Sequence, residues 1–495
     1  MISMKKIFLL VCAGILISLI PTACNQLPEK AYDEIDYEQF ISDVQEERKS
    51  LVVGEIPIEE IEKWKPTHTI RREIGKDEYI LLTQPKEKES RYQYTKEEIH
   101  QDVDIMFDLF ENFYGAYKLF GGAERFDQVK DNIQERIDSD MSIRQMTNII
   151  VDELSVFPDG HMGFNGKLVY PRQKTYMAKD FYIKKSGDDL FIEDDNGIFQ
   201  ILHPEEWADY IKPTIDDEGK LAYTFIKRIS SKEKLNTSDQ IKILDHEGQE
   251  DVKTFQWKNL KSSMPKAQLI LSEKIEDGIL IQKISSCRDN ERPIGELEKE
   301  FASYGEKAFE RPSMILDLRG NSGGYSGPPK MWSKPFLGGN TTSKRVVGGI
   351  FNQLYKFYPN TRDDLDEEFL DKYLDGNWRS DSGEGQWVEN DNWILILSDD
   401  GVASAAEEFI LLLRQMDSSI IIGTPSRGCN MTGENLTYYL PNTGTSIYFG
   451  FILTFTEKIG DDSTNSIEPD LWVDPEEAEE KAILFMKYYQ IGQGE

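Results

Sequence analysis

Histidine and cysteine are scarce in this chain, and that scarcity narrows the chemistry open to it. Five histidines (His68, His100, His161, His203 and His246) and four cysteines are spread over 495 residues. No CxxC, HExxH or EF-hand spacing occurs, so the sequence calls for no structural metal and implies no organic cofactor. Cys12 and Cys24 lie in the N-terminal segment, which leaves Cys287 and Cys429 too far apart to make a disulfide framework. Basic residues are also in deficit, with 57 Lys and Arg against 89 Asp and Glu, a net charge of −32. A surface of that sign argues against nucleic acid or anionic lipid as the main partner. The apolar run Ile7–Ile20 is too short for a helix that spans a membrane. The remaining composition, 39% hydrophobic and 11% aromatic, is that of a globular protein, and the length allows two or three domains.

The N-terminus has the layout of a processing signal. Lys5-Lys6 precedes the apolar run, and Pro21-Thr22-Ala23-Cys24 follows it. Thr22-Ala23-Cys24 resembles the lipobox of bacterial lipoproteins, with Pro21 where Leu is usual. That resemblance implies a signal peptide over 1–23 and lipidation of Cys24. The mature chain is then extracytoplasmic and anchored to a bacterial cell membrane through its lipid. Residues 24–94 are polar and charge-rich and read as a tether from that anchor.

From Thr95 the pattern changes. Thr95 and Glu98 have capping-box spacing, and Ile99, Val103, Met106, Phe110 and Phe113 share one helical face. Phe126, Val129 and Ile133 repeat the period, and Ser142 with Gln145 opens a third helix, which Pro158 ends. Residues 95–164 are therefore expected to be a helical subdomain whose exit loop carries Asp159-Gly160-His161. Residues 165–278 read as short strands and turns. From Ile279 strands and helices alternate through Ser313–Leu318, Trp393–Leu397, Ser404–Met416 and Ile420–Gly423, which predicts an α/β core over 279–475. The polar stretch 360–389 reads as an insertion, and Asp474-Pro475 introduces a C-terminal helix within 476–495.

Two strand ends carry candidate chemistry. The apolar strand Ser313–Leu316 runs into Asp317-Leu318-Arg319-Gly320-Asn321-Ser322-Gly323-Gly324, where glycines let backbone N–H groups crowd around an oxygen. The strand Trp393–Leu397 runs into Ser398–Ala403, and Ser404 then opens an amphipathic helix. A serine on a strand-to-helix turn is either a nucleophile or a plain N-cap. The glycine loop is either an oxyanion site or a structural turn with an Asp317–Arg319 ion pair. If the two strands are neighbours, the N–H groups of Gly323, Gly324 and Ala405 can hold an oxyanion formed at Ser404. A serine needs a base, and His161, in a glycine-containing loop beyond a helix, is the histidine best placed to reach across a cleft.

These segments, in this order, resemble the C-terminal processing (tail-specific) serine peptidases, relatives of the tricorn protease and of the interphotoreceptor retinoid-binding protein repeats. The likeness rests on DLRGNSGG, on the ASAAE around Ser404, and on Gly423-Thr424-Pro425-Ser426-Arg427-Gly428. It extends to Leu440-Pro441-Asn442-Thr443-Gly444, Ile467-Glu468-Pro469-Asp470 and Asp159-Gly160-His161. It implies an α/β fold with a ββα core like that of the Clp protease and crotonase, plus an N-terminal helical subdomain and a small β-rich middle region. One branch of the family uses a lysine at the position of Arg427, but an arginine stays protonated and cannot be the base. The tricorn-like branch uses a histidine, which implies a Ser404–His161 pair cutting peptide or protein substrates. Its third member is a carboxylate, for which Asp461, Asp462 and Glu468 all remain open. No carboxylate-binding loop typical of the family's PDZ module is found between 165 and 290, so that region is either a degenerate PDZ-like module or another small β domain. Two alternatives stand beside the peptidase reading: an inactive peptide- or ligand-binding lipoprotein on the same fold, and a glycan-acting enzyme with paired carboxylates.

Overall fold

The central sheet is built from strands that are apolar on both faces, and the reason is visible in their period. In Ser313–Asp317, Met314 and Leu316 face one hydrophobic cluster while Ile315 faces another. In Trp393–Ser398, Ile394 and Ile396 alternate in the same way with Leu395 and Leu397. A sheet covered on both sides needs apolar residues at consecutive positions. The structure, a computed structural model, describes residues 34–492 apart from 67–68, 86–91, 171–172, 231–232, 246–247, 262–268, 340, 350–352, 358–377, 381–385 and 457–465. The signal segment, Cys24, His68, His246, Asp461, Asp462 and most of the 360–389 insertion lie outside the described residues.

This sheet has six strands in the order Leu271–Glu276, Ile279–Ile284, Ser313–Asp317, Trp393–Ser398, Ser419–Gly423 and Leu471–Trp472. The first pair is antiparallel and every later pair is parallel. Helices Ile294–Phe309, Gly327–Ser333 and Ala405–Leu413 cover one face. Helix Ala478–Tyr488 covers the other. The chain is thus α/β, as expected from the alternation of strands and helices.

A second sheet joins this core to the helical subdomain. Ser446–Phe455 pairs with Thr432–Tyr439, with Val346–Gly349 and with the short strand Gly163–Phe164. The strand Gly163–Phe164 directly follows the loop carrying His161. Helix Lys96–Phe113, capped by Thr95 and Glu98 in a full capping box, packs its apolar face on this sheet together with Gly122–Arg136 and Ile143–Leu154. Phe110 and Tyr114 meet Phe449 with ring centroids 5.1 and 5.4 Å apart. The helical subdomain is therefore fixed to the core by a shared aromatic cluster.

Residues 173–259 form a ring of antiparallel strands. The order runs Gln173–Ala178, Glu250–Asn259, Ser238–Leu244, Gly197–Ile201, Asp189–Asp194, Tyr182–Ser186 and Leu221–Ser230, and the last strand pairs back onto the first. Phe181, Phe225 and Phe255 fill its interior. Closure leaves few edges for a peptide strand to join. The outlying strand Ile211–Ile215 is itself docked on the core, with Thr214 Oγ1 donating to the Trp472 carbonyl at 2.6 Å.

The tether reading fails over part of its range. Tyr37–Val53 is a helix capped by Asp36, and it lies against the central sheet's C-terminal helix, with Tyr37 stacked on Tyr489 at 4.4 Å. Ile41 and Val52 are buried, as is Arg48, whose guanidinium pairs with Asp470 and donates to Ser419 Oγ at 2.9 Å. A further helix, Lys76–Leu82, buries Tyr79 in the aromatic cluster. The high charge of this region hid a few well-spaced anchors.

Removing one partner of a buried ion pair leaves the other uncompensated. Arg48→Ala is expected to lower the unfolding free energy by roughly 3–5 kcal/mol, read from the denaturant midpoint, and Asp470→Asn in the same chain to recover part of the loss. An unchanged midpoint in Arg48→Ala would show that the helix does not contribute to the stability of the core.

Candidate active site

The two loops meet because their strands are hydrogen-bonded neighbours, with Asp317 in register with Leu397. Beyond the strand ends, Ala403 N donates to the Asn321 carbonyl at 3.0 Å. Asp399 Oδ1 accepts from both Gly320 N and Gly401 N at 2.9 Å, pinning each loop to the other. Gly323, at φ +89°, lies so close to the serine turn that a Cβ there would sit 2.5 Å from the Ala403 carbonyl oxygen and 2.9 Å from Ser404 Cβ and Ala405 N. Only glycine fits at that approach.

Ser404 has φ 56° and ψ −125°. An ordinary N-cap residue sits in the extended region at negative φ, as Thr95 and Ser142 do here. A non-glycine residue in this sparsely populated region is strained, and such strain gathers at functional turns between strand and helix. The backbone therefore separates Ser404 from a plain cap. Ala405 is the first residue of the helix, so its N–H is one of the donors that a helix leaves unpaired at its N-terminus.

The three proposed oxyanion donors are not equivalent. Gly323 N donates to Asn321 Oδ1 at 2.9 Å and is already committed. This corrects the expectation for Gly323, which serves as the close-packed wall beside Ser404. Around Gly324 the bridge to Cys287 uses the Gly323 carbonyl and the Tyr325 N–H. That pattern turns Gly324's own N–H away from Cys287. Gly324 and Ala405 remain as candidate donors. Asp317 and Arg319 form the local ion pair that sequence offered as the alternative role. Arg319 Nε and Nη2 both donate to Asp317 at 2.8 Å, and Lys283 Nζ joins them at 3.0 Å. Burial pushes the Asp317 carboxyl up, but the hydrogen bonds and charges of Arg319 and Lys283 bring it below its ordinary value.

His161 sits in a turn built around a buried acid. Asp159 accepts from His161 N at 2.8 Å, from Thr432 Oγ1 at 2.8 Å and from Tyr114 Oη at 2.6 Å. His161 Nδ1 lies 2.6 Å from the Thr432 carbonyl oxygen. A carbonyl only accepts, so Nδ1 carries the proton and the neutral ring presents Nε2 as its basic nitrogen. Burial lowers the pKa of the imidazole below 6.5, and the nearby Arg427 charge acts in the same direction, against Asp159 and the Thr432 bond. Arg427 thus favours the neutral base.

Sequence reasoning missed Glu407, although its place three residues after Ser404 has capping-box spacing. Its carboxylate is fully buried and accepts from Ser404 N at 2.8 Å, Ser426 Oγ at 2.6 Å, Gly428 N at 2.7 Å and Cys429 N at 2.9 Å. Burial raises its pKa despite these bonds, but all four partners are donors and suit the ionised form. The segment held by Glu407 is the one that the histidine turn rests on. A Cβ on Gly160 would lie 2.7 Å from Cys429 Sγ and 3.2 Å from the Gly428 carbonyl oxygen. The serine turn and the histidine turn are therefore both fastened to 426–432.

The other candidates lie elsewhere. His100 Nε2 bonds the Ile137 carbonyl at 2.9 Å within the helical subdomain, and His203 is exposed beside Glu205. Glu468 pairs with Arg228 at 3.0 Å and does not stand behind the His161 ring, where the Thr432 carbonyl is found. Cys287 and Cys429 are buried and are not joined in a disulfide. Among the described residues no group of His, Cys, Asp and Glu could hold a metal ion.

Residues 283–473 match the model of Peptidase family S41. No curated protein sequence matches the chain. Among solved structures, mature CPAF is similar at 13% identity over 80% of this chain and 96% of that one, with a TM-score of 0.41. The photosystem II D1 C-terminal processing protease shares 12% identity over 77% of this chain and 94% of its own, with a TM-score of 0.32. The tricorn protease shares 12% over 81% of this chain and 37% of its own, with a TM-score of 0.35.

Two expectations follow from the carboxylate and the imidazole. Glu407→Gln keeps the volume but turns an amide NH2 toward backbone N–H groups, which only donate. It is expected to cost about 100-fold in kcat through misplacement of the serine turn, with the fold retained by circular dichroism; full activity would assign Glu407 to structure alone. The depressed His161 pKa keeps the ring neutral below the usual histidine range, so the acid limb of kcat/KM is expected below pH 6.5. The stability linked to this ring is complete above 6.5 and is lost as pH falls through the folded value, because the unfolded chain takes the proton first. An acid limb above 6.5 would contradict the assignment.

Proposed function

We propose that the chain is a serine peptidase that cleaves peptide bonds with Ser404 as nucleophile and His161 as base, on the footing that residues 283–473 match the model of Peptidase family S41. Ser404 Oγ attacks the scissile carbonyl carbon while its proton passes to His161 Nε2. The N–H groups of Gly324 and Ala405 hold the oxygen that becomes negative, and the helix N-terminus adds its partial positive charge. His161 then donates the proton to the departing amine. A water molecule, deprotonated by the same ring, releases the acyl group from Ser404. The observation that carries this reading is the strained conformation of Ser404, with φ 56° on a turn packed directly against Gly323.

We also propose that the protein acts outside the cytoplasm, held to the membrane by lipid on Cys24. The support is the segment from Lys5 to Cys24 in the sequence. A second reading, a binding protein without turnover, is favoured by one observation: a backbone carbonyl, in place of a carboxylate, stands behind the His161 ring.

Labelling with a fluorophosphonate probe separates the two. The wild-type protein is expected to be labelled, and Ser404→Ala and His161→Ala each to lose labelling while melting at an unchanged temperature. A folded wild-type protein that neither reacts with the probe nor cleaves casein-derived peptides would favour the binding protein.

A further inference from the structure

A cavity of about 40 Å³ lies where the helical subdomain, the strand ring and the core meet, beside the candidate site. That is room for a carboxylate group with one or two waters, on the scale of roughly 10–15 Å³ for each water. Its wall includes Gly160, the neighbour of His161, and Ser426, Arg427 and Gly428 from the segment fastened to Glu407. Arg228 enters from the end of the strand Leu221–Ser230. Arg427 N donates to the Val402 carbonyl at 2.8 Å, two residues before Ser404, so this wall is continuous with the serine turn.

The lining of the cavity is basic in an acidic molecule, although Glu468, outside that lining, pairs with Arg228. In a chain of net charge −32, two guanidinium groups face one carboxylate, Asp400, among the described lining residues. Arg427 Nη2 donates to the Gly401 carbonyl at 3.2 Å, and its Nε is buried without a partner. Arg228 donates to Glu468 at 3.0 Å and to Ser466 Oγ at 3.2 Å, and its Nε is also buried without a partner. A guanidinium carries five N–H donors in a planar fork suited to a carboxylate, and both forks have donors to spare.

Building on the peptidase reading, we propose that this cavity is a specificity pocket for a carboxylate on the peptide substrate, held between Arg228 and Arg427. The carboxylate is an Asp or Glu side chain near the scissile bond. Arg427, which cannot serve as a base, then acts in recognition and through its charge on His161.

The test measures binding apart from turnover, by fluorescence anisotropy in the full chain carrying Ser404→Ala. Three labelled Gly/Ala peptides are compared: a central Glu with an amidated C-terminus, a central Gln with a free C-terminus, and a central Gln with an amidated C-terminus. The central-Glu peptide is expected to bind about tenfold or more tighter than the amidated central-Gln peptide, with the preference weakened by salt. Arg228→Gln and Arg427→Gln are each expected to abolish the preference. A preference confined to the peptide with the free C-terminus overturns the assignment to an acidic side chain. Should a Gln variant fail to fold, Arg→Lys at that position keeps the charge but loses the fork, and is expected to reduce the preference. Equal binding of the three peptides, no binding of any, or a preference that survives both substitutions overturns the proposal. Preference without hydrolysis by the wild-type chain keeps the pocket and removes the peptidase reading, whereas hydrolysis without preference removes the pocket alone.

Discussion

The carboxylate of Glu407 is the constraint on which the candidate site depends. One buried group gathers the backbone of Ser404, the hydroxyl of Ser426 and the amides of Gly428 and Cys429. Ser426 Oγ in turn accepts from Ile467 N at 2.8 Å, which brings the segment before the last strand of the sheet into the same network. A buried acceptor with several donors is costly to leave half satisfied, so these loops hold one arrangement together or lose it together. The strain at Ser404 persists because its surroundings over-determine it.

Buried carboxylates play the same part throughout the chain. Asp159 builds the histidine turn, Asp399 ties the glycine loop to the serine turn, and Asp102 accepts from Asn442 N, Thr443 N and Thr443 Oγ1 to fix the 440–445 turn to the helical subdomain. Loop N–H groups have no ladder partner, and an internal carboxylate can accept from several of them at once. The acidic excess that looks like a surface property in the composition thus includes the residues that hold the loops in place.

The layering explains how distant segments converge. The helical subdomain does not stand apart as a module, because its exit strand Gly163–Phe164 joins the long strand Ser446–Phe455. The strand ring reaches the core through Thr214, Arg228 and Lys258, the last bonded to Glu477 at 2.8 Å. The N-terminal helix closes the other face of the sheet. The helical subdomain and the strand ring therefore both contribute residues to the cavity beside the loops at the strand ends.

The amino-acid sequence by itself determined the α/β core, the capped helices before it, and the two strand ends where the chemistry would sit. These are local properties: alternation of apolar residues, capping pairs and glycine spacing depend on neighbours a few positions away. It also singled out Ser404, Gly323, Gly324, Ala405 and His161 by residue type, turn and family resemblance. Only the tertiary structure decided that the Gly323 N–H is taken by Asn321, that a carbonyl of Thr432 stands behind His161, and that Tyr37–Val53 docks on the sheet through Arg48. It alone brought Arg228 and Arg427 to one cavity and gave Glu407 its donors. Those are matters of which donor meets which acceptor across long separations in the chain, and no local pattern records such a pairing.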